Sequence, residues 1–190
     1  ALGGQRLVGT LGDIYLAGDT LWLVAISNAS SMDFGKLLPL YTQWAALCAS
    51  QPGRLCEVAL LTPKRQDLSG FIQTPADLQQ GLHRLLAGYR DATAQADAYF
   101  PRSSHAYATA WHKVLDKQPE AGERAREEAL KAARDAWTGG YNGHGERDYA
   151  PGYSGLLAGA ARFLQPGEAR HERFVERALS LFDLINGGTA

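Results

Sequence analysis

The 190-residue sequence predicts an α+β fold, with a small mixed sheet near its start, flanking helices and a helical second half. Three observations lead to this prediction. Apolar and polar residues alternate on both sides of a turn before Ser27, residues 54–61 form a short apolar run, and apolar residues recur at helical spacing from Pro75 onward. Strands that precede helices, without regular alternation between the two, are typical of the α+β class.

The first two strands are expected to form a hairpin. The segment Leu7–Ser27 reads LVGTLGDIYLAGDTLWLVAIS, and it is rich in β-branched and aromatic residues on both sides of Ala17-Gly18-Asp19. We therefore predict one strand near residues 7–17, a short turn, and a second strand near residues 21–27.

A helix and a third strand should complete the sheet. Residues 32–49 place apolar side chains at helical spacing, and Asp33 is well placed as the N-cap. The run Arg54–Leu61 (RLCEVALL) is predicted to be a largely buried strand, which ends at Thr62-Pro63. The polar segment 64–74 is predicted to hold a loop or a short edge strand.

The second half is predicted to be almost entirely helical. The first of its helices should begin at Pro75, with Thr74 as its cap. It should turn one face inward, formed by Leu78, Leu82, Leu85, Leu86 and Tyr89. Further helices are expected at 104–117, 119–138, 150–163 and 167–185, with a glycine-rich loop at 139–145. The four tryptophans, Trp22, Trp44, Trp111 and Trp137, are interpreted as core anchors.

Composition excludes several classes of protein. A net charge of −1 and a pI near 6.6 argue against a self-sufficient DNA-binding module, so any contact with nucleic acid must be a local patch. Cys48 and Cys56 are interpreted as reduced thiols of a cytoplasmic protein. No apolar run of membrane-spanning length is present, so no membrane partner is expected. The chain starts at Ala1 without Met, and we interpret residues 1–190 as a single domain from a longer protein.

The order strand, strand, helix, strand resembles the central part of the PD-(D/E)XK fold, which is the restriction-endonuclease-like fold. Exonuclease subunits of recombination helicases carry Gly-x-x-Asp before the hairpin turn, and Asp-x-Lys at the end of the next strand, around Mg²⁺. In this sequence Gly9 falls on the Gly, but Gly12 falls on the first Asp, Ala25 on the second Asp and Ser27 on the Lys. The resemblance therefore implies a nuclease fold without its catalytic residues, its metal or another cofactor.

Two alternatives stay open. An active metal-dependent nuclease of the same fold would need Asp13 together with other carboxylates, such as Asp19, Asp33 or Glu57. The helical half could instead act as a protein-interaction module without DNA contact.

His105 and His112 are seven residues apart, too far for both to bind one zinc ion, and a catalytic loop around His144 has no evident nucleophile.

Several longer stretches resemble the RecC family, the gamma subunit of exodeoxyribonuclease V. At the front of the chain these are QRLVGTLGDIY, LWLVAISNAS and FGKLLPLYTQWAALCAS. From Trp137 to Ile185 they are a helix end in ARDAW, a Gly-Glu-Arg loop, a PGYSGLLAG helix and a final FVERALSLF helix. The likeness is weakest between Lys64 and Gln118.

The resemblance implies a function in assembly rather than in catalysis. Members of the RecC family bind RecB and RecD helicases, form channels for the separated DNA strands and take part in double-strand break repair. Their last domain has a nuclease-like fold without a nuclease site. We accordingly expect RecB-like and RecD-like partners and weak DNA binding by this chain alone, with Arg54 and Arg65 as the candidate DNA contacts.

Overall fold

The computed structural model describes residues 8–28, 32–63, 75–94, 99–140, 143–149 and 162–186. The backbone separates into two compact units. The first contains residues 1–32, 36–94 and 184–189, and the second contains residues 33–35, 95–183 and 190. The first unit therefore combines the front of the chain with a short piece from its far end.

The first unit is built on a three-stranded mixed sheet in the order β1-β2-β3. Strands β1 (Ile14–Ala17) and β2 (Thr20–Ile26) are antiparallel and joined by a two-residue turn, in which Gly18 has a φ of +59°. Strand β3 (Leu55–Leu61) is parallel to β2. The predicted hairpin, third strand and mixed sheet are thus confirmed.

Strand β1 is shorter than the sequence predicted. Residues 8–12 are not part of a strand, and β1 begins only at Ile14. Asp13 has a φ of +54°, in the left-handed region that interrupts an extended strand. Its carbonyl oxygen still accepts a hydrogen bond of 3.0 Å from the backbone N–H of Val24. Gly9 and Gly12 supply no side chains to pack there, which explains why an apparently strand-like sequence stays outside the sheet.

Helix α1 (Phe34–Ser50) joins the two parallel strands and contacts the last of them, as predicted. The indole Nε1 of Trp44 donates a hydrogen bond of 3.0 Å to the carbonyl oxygen of Cys56. Burial along β3 alternates, with Cys56, Val58 and Leu60 inward. The strand is therefore covered on one face, not on both as its continuous apolar sequence suggested, because Leu55 and Leu61 are exposed.

Helix α2 (Pro75–Ala94) also belongs to the first unit and begins at the predicted proline. Leu78 and Leu82 are buried, but Tyr89 is 69% exposed, so the inward placement predicted for Tyr89 is wrong. The burial of the apolar stripe decreases along the helix, since Leu85 and Leu86 are only half-buried. The apolar stripe therefore extends beyond the buried part of α2.

The second unit is helical. Its elements are α3 (Pro101–Leu115), α4 (Gly122–Thr138), the short α5 (Glu146–Tyr149), a 3₁₀ turn (Arg162–Leu164) and α6 (Ala169–Asn186), whose last residues belong to the first unit. The core of the unit is aromatic. Ring centroids lie 4.9 Å apart between Phe100 and Trp137 and 4.2 Å apart between Phe100 and Phe163. Trp44 and Trp137 are buried as expected, whereas Trp22 and Trp111 are only half-buried.

Two helix starts differ from the sequence prediction. Helix α3 begins at Pro101 instead of Ser104, because proline fits the first helical position, where its missing N–H is not needed. Helix α4 begins at Gly122 instead of Pro119. It ends where Gly139, at a φ of +93°, donates its backbone N–H to the carbonyl oxygen of Asp135. Most of the helix predicted at 150–163, and the segment 64–74, lie outside the described residues.

A buried carboxylate fixes the start of α3. Glu146 is only 6% exposed, and its Oε1 accepts a hydrogen bond of 3.0 Å from the backbone N–H of Arg102. Its Oε2 accepts bonds of 2.8 and 2.7 Å from the backbone N–H and the Oγ of Ser103. The carboxylate thus takes the place of an N-cap side chain, which Phe100 cannot supply.

Candidate functional site

The positions predicted to correspond to nuclease ligands, Gly12, Ala25 and Ser27, lie on or beside the hairpin. Leu23 of β2 pairs with Val58 of β3, and two residues further along Ala25 pairs with Leu60. Directly paired residues share a face of a sheet, so Ala25 lies on the same face as the buried side chains of Leu23, Val58 and Leu60. Beyond the strand, Ser27 donates its backbone N–H to the carbonyl oxygen of Leu61 at 2.9 Å. Ala25 is itself half-buried, and its neighbours on this face are aliphatic.

Gly12 lies at the exposed approach to β1. A Cβ atom built on Gly12 would have no other atom within 4 Å, so a larger side chain would fit there without a clash. The lack of a carboxylate at this position is therefore not imposed by crowding.

The carboxylates of the rival nuclease hypothesis are spread over different parts of the backbone. Asp13 precedes β1, Asp19 lies in the hairpin turn, and Asp33 directly precedes α1. Glu57 pairs with Trp22, and it therefore lies on the opposite face of the sheet from Ala25. Among the described residues, no three His, Cys, Asp or Glu side chains are grouped so that they could hold a metal ion.

Of the two arginines proposed as DNA contacts, only Arg54 lies among the described residues. Arg54 is exposed in the turn before β3, where its backbone N–H donates to the carbonyl oxygen of Gln51 at 3.2 Å. Arg65 lies outside the described residues. Their role in DNA binding stays a prediction.

The second face of the sheet is mostly apolar and partly exposed, with Glu57 beside Trp22 as a charged member. We call it the outer sheet face and define it by Tyr15, Trp22, Ile26, Leu55 and Leu61. Tyr15 is 57% exposed, Ile26 79% and Leu55 59%. The strand register places these residues on one face, with Leu55 beside Thr20 at one end, Ile26 beside Leu61 at the other, and Tyr15 beside Trp22 between them. Clustered large apolar side chains at this exposure mark contact surfaces more often than scattered ones do.

The histidines of α3 pack against aromatic rings. The ring of His105 meets that of Phe34 edge-on at 5.0 Å, and its burial lowers the pKa of His105 below 6.5, against a smaller opposing effect of Asp33. His112 stacks on Phe182 at 4.4 Å. Its Nε2 is 3.4 Å from an oxygen of Asp183, within ion-pair distance but without hydrogen-bond geometry. Both rings therefore have packing roles.

The two cysteines are free and close to one another. Burial, and then the neighbouring Cys56, raise the pKa of the Cys48 thiol to about 12. A thiol with that pKa stays protonated near neutral pH and is a poor nucleophile or metal ligand.

A groove of about 430 Å³ lies between α3 and α4 of the second unit, and we call it the α3/α4 groove. Four of its lining residues are cationic, namely Lys113, Lys117, Arg124 and Lys131. Sequence reasoning missed the groove. A signal was present, because three of the chain's five lysines fall within residues 113–131.

Within the described ranges, none of the helices combines the length and the apolar content that crossing a bilayer requires.

In a comparison with protein families, the model described as the RecC C-terminal domain matches residues 1–112. This range contains the hairpin, α1, β3, α2 and most of α3. The positions Gly12, Ala25 and Ser27 therefore lie inside the matched part, whereas the resemblance noted from Trp137 to Ile185 lies outside it. No curated protein and no solved structure matches the chain.

Proposed function

The chain belongs to the RecC C-terminal domain family, and on that basis we propose that it is a non-catalytic domain of a RecC-like subunit. The parent complex would be a RecBCD-type helicase and nuclease, the exodeoxyribonuclease V class. In this proposal the fold is an inactivated PD-(D/E)XK fold, and residues 1–190 form one domain of a longer cytoplasmic protein. The observation that carries it is the aliphatic setting of Ala25, at the position where an active nuclease has a carboxylate.

The chemistry of the hairpin supports the absence of nuclease activity. Mg²⁺ needs several oxygen ligands, and phosphodiester cleavage needs the bound metal to activate water and to stabilise the developing charge. Ala25 offers a methyl group beside Leu60, and Gly12 offers no side chain. Glu57 cannot replace the missing ligand, because it lies on the other face of the sheet.

The outer sheet face supports a role in assembly. Its exposed side chains include Tyr15, Ile26 and Leu55. Strand β1 is also exposed at all four residues, and an edge strand of this kind is suited to contact with another chain or domain. We propose that this face is covered by other parts of the subunit or by its RecB-like and RecD-like partners. The bound domain would then help to guide DNA or to separate its strands during double-strand break repair.

The absence of nuclease activity is tested with the chain itself. We expect no cleavage of single- or double-stranded DNA in Mg²⁺ or Mn²⁺, and no tight divalent site in titration calorimetry. The matched control is Asp13→Ala, which should behave like the unchanged chain. Metal-dependent cleavage that disappears in Asp13→Ala would refute the proposal and favour the active-nuclease alternative.

The assembly role is tested in the full-length subunit. Tyr15→Ser with Leu55→Ser should reduce co-purification of the helicase subunits and slow DNA unwinding, because both side chains are exposed and their loss removes apolar contact area. Tyr89→Ser is the matched control, since Tyr89 is an equally exposed aromatic residue on α2. Normal assembly and unwinding by the double variant would contradict the role given to the outer sheet face.

Direct DNA contact is proposed to be weak and to depend on the complex. With a net charge of −1, the isolated chain should bind duplex ends no more tightly than nonspecific contacts, roughly 10⁻⁴ to 10⁻⁶ M at physiological salt. Arg54→Ala or Arg65→Ala in the assembled complex should lower the affinity and reduce the salt slope by about one unit. An unchanged salt slope would remove these arginines from the DNA contact.

A further inference from the structure

We propose that the α3/α4 groove binds an acidic, amphipathic helical segment of a partner protein. Of its ten lining residues, nine lie beyond residue 112, where the family match ends. The site is therefore not part of the matched RecC C-terminal domain. It goes beyond the proposed pseudonuclease role and does not depend on it.

Charge is the first argument. Lys113, Lys117, Arg124 and Lys131 face two carboxylates, those of Glu128 and Asp135, so the groove carries a net charge of about +2 in a chain whose net charge is −1. In the part of the chain that the structure describes, the three lysines have no carboxylate within ion-pair distance. All four cations are exposed. An acidic ligand would therefore find cations that are accessible and not already paired.

The floor of the groove is the second argument. Ala110 and Val114 lie one helical turn apart on α3, and Ala132 faces them from α4. All three are half-buried, so their methyl groups are accessible from the groove. A valley between two helices with an apolar floor and charged walls is the surface into which an amphipathic helix places its apolar stripe.

The groove is less well suited to nucleic acid. Single-stranded DNA is usually held by cations together with aromatic rings on which the bases stack, and no aromatic residue lines this groove. Glu128 and Asp135 are seven residues apart on α4, roughly 10 Å along the helix, and both would repel a phosphate backbone. A peptide helix can place a lysine or arginine opposite each of them, which phosphate groups cannot do.

The test uses the full chain and a synthetic peptide of about 15 residues, with leucines at helical spacing and glutamates elsewhere. Binding is followed by fluorescence anisotropy. We expect this peptide to bind at least tenfold more tightly than the same peptide with lysine in place of glutamate. We also expect it to bind more tightly than one with serine in place of leucine. A thymidine oligonucleotide of about the same length is the nucleic-acid probe.

The variant Lys117→Glu with Lys131→Glu should weaken binding of the acidic peptide about tenfold, since two attractive pairs become repulsive. The matched control is Arg126→Glu with Arg170→Glu, which changes the net charge equally at exposed residues that do not line the groove. Circular dichroism checks that both variants keep their helices. Equal weakening by the control, no binding of the acidic peptide, or groove-dependent binding of the oligonucleotide that is tighter than that of the peptide would each overturn the proposal.

Discussion

Replacement of Glu146 by alanine should destabilise the helical unit strongly, although Glu146 begins only a four-residue helix that follows a glycine-rich segment. The carboxylate accepts three hydrogen bonds of 3.0, 2.8 and 2.7 Å from Arg102 and Ser103 at the start of α3. A hydrogen bond to a charged group contributes about 1.5–3 kcal/mol, and the three are not additive because they share one carboxylate.

The two donors should respond differently to the loss of Glu146. Arg102 is exposed, so its backbone N–H can bind water once the carboxylate is gone. Ser103 is fully buried, and its N–H and Oγ would both lose their partner. An unsatisfied buried polar group costs about 1–3 kcal/mol, so we expect Glu146→Ala to lower the free energy of unfolding by about 3 kcal/mol. Glu146→Gln keeps one acceptor oxygen but loses the charge, and about half of that loss is expected.

Urea denaturation followed by circular dichroism measures these changes, and hydrogen exchange at the Ser103 amide reports the same site locally. Glu127→Ala is the matched control, because Glu127 is exposed on α4 and should change stability by no more than about 0.5 kcal/mol. If Glu146→Ala resembles this control, or if the Ser103 amide exchanges equally slowly in both variants, the capping role derived from the structure is wrong.

Three further predictions concern packing and pH. Tyr107→Phe should raise the free energy of unfolding by up to about 1 kcal/mol, because the buried Oη has no hydrogen-bond partner among the described residues; a clear loss in urea denaturation would mean that the hydroxyl is satisfied. Gly81→Ala should cost about 1–3 kcal/mol, because the added Cβ would clash with the Tyr41 hydroxyl. Gly122→Ala, which meets nothing within 4 Å, is its control and should be neutral or slightly stabilising in thermal unfolding. Burial lowers the pKa of His105 in the folded chain, so the stability that this residue contributes is present above pH 6.5 and is lost as pH falls toward the lowered pKa. His105→Gln should flatten that decline, and equal pH dependence of the two proteins would contradict the assignment.

The sheet was predictable because its signals are local. The Gly18-Asp19 turn and the alternating residues around it define the hairpin, and the parallel pairing of β3 follows from the helix between β2 and β3. The predicted early start of the first strand was wrong, because no sequence pattern indicated that Asp13 adopts a left-handed backbone conformation. The positions predicted to be degenerate nuclease positions, Gly12, Ala25 and Ser27, could be named from sequence, but the aliphatic neighbours of Ala25 required the strand register.

The features that sequence reasoning missed depend on contacts between distant residues. Glu146 caps a helix that begins 45 residues earlier in the chain, and no local pattern connects the two. The α3/α4 groove needs the pairing of two helices before its lysines converge. For Tyr89 the local pattern was correct but insufficient. The apolar stripe on α2 was identified from sequence, whereas how far along the helix that stripe is buried depends on tertiary contacts.

The far end of the chain has a consequence for how this protein can be divided. Leu184 belongs to the first unit, where its Cδ1 would lie 2.9 Å from a Cβ built on Gly81. A fragment that stops at residue 112, where the family match ends, would leave α2 without this neighbour. The end of the family match also falls inside α3, so a cut there would interrupt a helix. Gene fusions or domain exchanges that transfer only the matched segment would carry α2 without the C-terminal residue that packs against Gly81.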